Sequence, residues 1–176
     1  MNERLLIVLI LISAVAAASP RAATAKDKVF TGSAFGFRLR YPDSMTGKTV
    51  EGKDNVPEVD VFFPDGCQNL ETAECVARGG FELDIATKAT MRERTGSKTC
   101  HEQVLRMAKE IPGASSPVPA GNRHLKGWTF HFTKPSGSLY DSHAWLEGRD
   151  VCYRFLWLSG TNAAARAYQS LAEITR

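Results

Sequence analysis

The stretch Gly127-Trp128-Thr129-Phe130-His131-Phe132, followed by Asp141-Ser142-His143-Ala144-Trp145-Leu146 and then Val151-Cys152-Tyr153-Arg154-Phe155-Leu156-Trp157-Leu158, decides how the chain is read. Trp128, Phe130 and Phe132 alternate with Thr129, His131 and Thr133, the period of two that sends alternate side chains to opposite faces of a sheet. In the second segment His143, Trp145 and Glu147 oppose Ser142, Ala144 and Leu146. The intervening Lys134-Pro135-Ser136-Gly137-Ser138 and Glu147-Gly148-Arg149-Asp150 are turn formers, so the pattern predicts a three-strand antiparallel meander. Its third strand is apolar on both faces, with Val151, Tyr153, Phe155 and Trp157 on one and Cys152, Leu156 and Leu158 on the other. Strands of that kind are covered on both sides. Arg154 is the one charge on the second face, expected either to snorkel or to pair with a carboxylate such as Glu82 or Asp84. A helix closes the segment after Gly160, with Thr161 as its N-cap and Ala164, Ala167, Tyr168, Leu171 and Ile174 as its buried stripe.

Working back toward the N-terminus, Thr99-Cys100-His101-Glu102 has the Thr-x-x-Glu form of a capping box. Cys100, Val104, Met107, Ala108 and Ile111 follow at helical spacing, and Pro112-Gly113 stops the helix. Residues 112–122 read as a linker over the surface. Phe81, Leu83 and Ile85 alternate with Glu82 and Asp84, which predicts a strand with the apolar residues inward and the two acids outward. Two carboxylates sharing a face admit a cation site or an acid pair, although a solvated strand face is the plainer reading. Val59 to Pro64 forms a further strand, ended by the Asp65-Gly66 turn. In Phe35-Gly36-Phe37-Arg38-Leu39-Arg40-Tyr41-Pro42 the aromatic and aliphatic residues alternate with Gly36, Arg38 and Arg40. Residues 26–33 read as a polar lead-in and residues 43–55 as a turn-rich loop. The whole order predicts an α+β fold, a single-domain α/β/α sandwich with a central, mostly antiparallel sheet.

The four cysteines are Cys67, Cys75, Cys100 and Cys152, and they admit three disulfide pairings. The short polar segment 68–74 favours closing Cys67 on Cys75. Cys100, on the inner face of the first helical turn, is then left to reach Cys152 on a strand. Zinc is the competing reading, but C-x7-C is not a usual finger spacing.

The N-terminus carries Arg4 and then an apolar run from Leu5 to Ala18, too short to span a bilayer comfortably, with Ala23-Thr24-Ala25 suited to signal peptidase. Residues 1–25 are therefore expected to be a cleaved secretory signal and 26–176 one domain, periplasmic or secreted; an uncleaved anchor is the alternative. No integral membrane segment remains after cleavage, and no cysteine before Cys67 is available for N-terminal lipidation. Removing Arg4, Arg21 and Glu3 from the 22 basic and 19 acidic residues leaves 20 and 18. That balance, with no clustered basic run, argues against nucleic acid as a partner. The longest basic grouping, Lys88, Arg92, Arg94 and Lys98, is broken by Glu93 and reads as a solvated face.

Phe35-Gly36-Phe37-Arg38-Leu39-Arg40-Tyr41-Pro42, a central helix, a meander and a closing helix together resemble the PsbP-like α/β/α sandwich superfamily, over most of residues 30–175. The resemblance implies a non-enzymatic binding or assembly role and supplies no catalytic residue. The four cysteines are not part of its pattern. No GxSxG, Walker, Rossmann or HExxH pattern occurs, and no cofactor is expected. The first expectation is an exported accessory protein of the bacterial envelope. It would bind another envelope or secreted protein through loops 43–55, 65–79 and 112–123 on a disulfide-stabilised scaffold. Two alternatives stand beside it. Cys100 at a helix N-terminus, with His131 or His143 as base, would suit a cysteine hydrolase if its thiol were free. His131, His143 and Asp141 would suit a periplasmic metal-binding protein if the two strands placed both imidazoles on one face.

Overall fold

Alternating apolar and polar residues underlie strands that carry the core. The computed structural model describes residues 26–32, 34–51, 58–67, 73–133, 140–158 and 160–174. The expected signal segment, residues 68–72 of the first cysteine loop and the turn at 134–138 lie outside the described residues. In chain order the elements are β1 (Asp27–Gly32), β2 (Phe37–Pro42), β3 (Met45–Glu51), β4 (Glu58–Pro64), α1 (Ala73–Ala77), β5 (Phe81–Thr87) and α2 (Lys88–Thr95). They continue with α3 (Cys100–Glu110), β6 (Val118–Pro119), β7 (Lys126–His131), β8 (Ser142–Glu147), β9 (Val151–Trp157), α4 (Asn162–Ser170) and β10 (Ala172–Glu173).

Seven strands form one antiparallel sheet in the order β3-β4-β5-β9-β8-β7-β6, with the doubly apolar β9 at its centre. A smaller sheet, β1-β2-β10, packs with α4 on one face of the large one. There Phe62 stacks on Phe81 with centroids 4.6 Å apart, Phe81 on Phe155 at 6.0 Å, and Phe155 meets Tyr168 of α4 edge-on at 5.3 Å. The opposite face carries α3, whose Cys100 and Val104 pack on Phe130, Trp145 and Cys152. Its start matches the capping expectation with one change. The Glu102 N–H donates to Thr99 Oγ1 at 3.1 Å, but the Glu102 carboxylate accepts from the Lys98 N–H at 2.6 Å.

Several expectations change. Residues 43–55 are not a loop throughout, because Met45–Glu51 is the edge strand of the large sheet and pairs with β4 in full register. Its exposed Thr46, Lys48 and Thr49 made it look like a connector, yet charge and polarity on an edge strand block pairing with another chain. The lead-in 26–33 contains β1, whose side chains are mostly exposed because only Phe30 reaches inward. The helix α2 buries only Met91, so no apolar stripe announces it in the sequence, but Thr87 caps its start and Gly96 its end at φ 72°. Within the 112–122 linker, Val118–Pro119 adds a short strand beside β7. The closing helix ends at Ser170, and Ala172–Glu173 then pairs with β2. Thr161 occupies the N-cap position without a capping bond; its hydroxyl donates instead to the Leu158 carbonyl at 2.9 Å.

Candidate functional site

Both sulfur pairs are disulfides, Cys67–Cys75 and Cys100–Cys152, with Cα atoms 6.0 and 5.7 Å apart. The hydrolase alternative is corrected at this point: Cys100 has no thiol to deprotonate, and no cysteine is free. The metal alternative is corrected by register. Phe130 sits opposite His143 and His131 opposite Ser142, which places the two imidazoles on opposite faces of the sheet. His131 Nδ1 lies 2.8 Å from Ser142 Oγ, which donates to Asp141 Oδ1 at 2.9 Å. His143 is buried between Phe130 and Phe132 at 5.2 and 5.1 Å, and its Nδ1 has no hydrogen-bond partner among the described residues. Burial and then the Arg154 charge hold its pKa down to about 3, so the ring is neutral.

Glu82 and Asp84 also depart from expectation, since they are not a solvated strand face. Asp84 is 2% exposed and its Oδ2 accepts from Arg154 Nε at 2.6 Å and from a second guanidinium nitrogen. The Arg154 guanidinium lies over the Trp145 ring, 5.8 Å from its centroid. Burial, then the hydrogen bond and charge of Asp84, push the Glu82 carboxyl up to about 8, and the Tyr140 hydroxyl donates to it at 3.3 Å. One arginine thus serves two acids, and the second keeps its proton at neutral pH. These groups line none of the surface grooves described below. They belong to the packing between β5, β8 and β9.

The surface offers a different arrangement. Arg38 and Arg40 point outward from β2 because Phe37, Leu39 and Tyr41 take the inward positions. The α4 helix packs beside them, with the Ser170 hydroxyl accepting from the Arg40 N–H at 2.7 Å, and it presents Arg166. The turn before β7 brings Arg123 and His124 to the same place. The result is a groove of about 960 Å³ bordered by four arginines and a single acid, Asp27. Asp27 Oδ1 is 4.0 Å from Arg166, and the guanidiniums of Arg38, Arg40 and Arg123 have no acidic partner among the described residues. The outward positions of Arg38 and Arg40 were readable from alternation. Their company was not, because Arg123 and Arg166 join them only through packing of distant segments. Of the three loops expected to carry recognition, only 112–123 touches this groove, through Arg123.

No protein-family model matches the chain, and no curated protein matches it in sequence. Among solved structures, the solution structure of cyanobacterial PsbP (CyanoP) from Synechocystis sp. PCC 6803 aligns with 89% of this chain and 97% of its own, with a TM-score of 0.56 and 11% sequence identity. The fold is PsbP-like. Identity at that level speaks for the PsbP-like architecture alone, so the arginine groove is argued from this chain's own side chains. Among the described residues no helix is long and apolar enough to cross a membrane, and no three His, Cys, Asp or Glu side chains converge as a metal site.

Proposed function

We propose that this chain is an exported, non-enzymatic accessory protein of the bacterial envelope, periplasmic or secreted, that binds another envelope or secreted protein through the arginine groove. The observation that carries the reading is the charge of that groove, in which three of four guanidiniums lack a carboxylate among the described residues. Exposed charge left uncompensated on a recessed surface attracts a partner of opposite sign and speeds its encounter. Two disulfides fit an oxidising compartment, and the apolar run Leu5 to Ala18 fits export to one. A binding or assembly role is also what the PsbP-like resemblance implies.

The test is crosslinking in envelope extracts, comparing the native chain with the Arg38→Glu/Arg40→Glu variant. The expected outcome is recovery of a protein with an acidic surface by the native chain, weakened by salt and lost in the variant. Equal recovery by the variant, or no partner together with no envelope defect on deletion, would overturn the reading.

A further inference from the structure

The arginine groove does not stop at Arg123. Arg123 and His124 also form a wall of a second groove of about 560 Å³, which Lys126 lines together with Pro119 and Trp128, partners across β6 and β7. Trp128 is half-buried and Pro119 is exposed, so the floor these two make is apolar and open to an incoming side chain, whereas Leu125 packs into the core on the α4 side. The Trp128 ring is held in place by His101 of α3, stacked 4.6 Å away at 10°.

The wall between the grooves is built in advance. Asn122 Oδ1 accepts from the N–H groups of His124 and Leu125, both at 2.8 Å, while Nδ2 donates to the carbonyls of Tyr168 and Leu171 at 2.8 and 2.9 Å. One side chain therefore shapes the turn and pins it to the end of α4. Gly121 lets the turn close, since a Cβ there would stand 2.7 Å from the Leu125 carbonyl oxygen. A tip fixed this way loses little freedom when Arg123 engages a ligand.

We propose that the two grooves form one trough for an extended polypeptide segment in which acidic side chains are followed by a bulky apolar residue. The carboxylates engage Arg38, Arg40 and Arg123, and the apolar side chain lies on Pro119 and Trp128. This rests on the reading above and names the partner's chemistry. Guanidinium forks match carboxylates in the plane, and an extended chain carries alternate side chains along such a path. A polyanion with one repeated charge has nothing to place on the second floor, and a flat membrane surface does not enter a recessed trough.

The experiment uses fluorescence anisotropy with the disulfide-bonded protein and three labelled peptides: glutamates followed by leucine, the same with serine for leucine, and the same with glutamines for glutamates. The leucine peptide is expected to bind about tenfold more tightly than the serine peptide, one apolar contact's worth, and the glutamine peptide not to bind. Arg123→Glu is expected to weaken the leucine peptide about tenfold or more, with an unchanged melting temperature as control. Only the leucine peptide should shift tryptophan emission, and Trp128→Phe should abolish the shift. Equal binding of leucine and serine peptides would overturn the joined trough while leaving the arginine groove as an acidic-partner site. No binding by either peptide, or binding that Arg38→Glu leaves unchanged, would overturn both. Tighter binding to anionic phospholipid vesicles or to a single-stranded oligonucleotide than to the leucine peptide would overturn the polypeptide assignment.

Discussion

Asp84 and Arg154 show what a buried charge demands of its neighbours. Asp84 is 2% exposed, and the Arg154 guanidinium is the group that bonds its carboxylate. Arg154→Leu removes that partner and is expected to cost about 3–5 kcal/mol, measured by urea denaturation. Glu82 and His143 add a pH dependence from either side of the same arginine. Glu82 keeps in the fold, up to about pH 8, a proton that the unfolded chain releases near 4.5. Its contribution is therefore full below 4.5 and lost as pH rises to 8. His143 stays neutral in the fold down to about pH 3 but protonates near 6.5 when unfolded, so its contribution is full above 6.5 and lost as pH falls. The opposing slopes cancel between 4.5 and 6.5, and stability is expected to fall away above and below that plateau. Denaturation midpoints across pH check this, and Glu82→Gln should flatten the alkaline limb; a steady rise to pH 8 would contradict it.

At the scale of elements, β3 separates what alternation reveals from what it hides. Buried strands such as β5 and β9 were legible because their inward positions are all large and apolar. β3 was not, because its inward position at the middle is Gly47, chosen by shape: a Cβ there would stand 2.8 Å from the Phe62 ring. Gly47→Ala is expected to destabilise by about 1–3 kcal/mol through this overpacking, read as a lowered melting temperature. In β9, Phe155 is fully buried between Phe81 and Tyr168, and Phe155→Ala is expected to cost about 3–5 kcal/mol. An unchanged melting temperature would mean that the layers are not packed as described. The candidate site was half legible for a related reason. Two of its arginines follow from the alternation in β2, but the pairing of β2 with β10, which sets α4 beside it, leaves no local pattern in a two-residue strand.

Across the whole molecule, the two disulfides have unequal tasks. Cys100–Cys152 spans 52 positions and joins α3 to the central strand, whereas Cys67–Cys75 spans 8. In the chain-entropy account, closing the longer loop stabilises by ~4 kcal/mol and the shorter by ~2.5 kcal/mol. Chemical denaturation of the Cys100→Ala/Cys152→Ala and Cys67→Ala/Cys75→Ala proteins should show the larger loss in the first. Neither bond holds the arginine groove together. That task falls to the meeting of β2 with α4 and β10, where Arg40 and Ser170 touch across 130 positions. Such long-range closure is slow to form. A chain still emerging from a ribosome or translocon displays Arg38 and Arg40 long before Arg166 arrives beside them. The complete groove is consequently a mark of finished folding, and a partner that needs all four arginines engages only molecules whose two ends have already met.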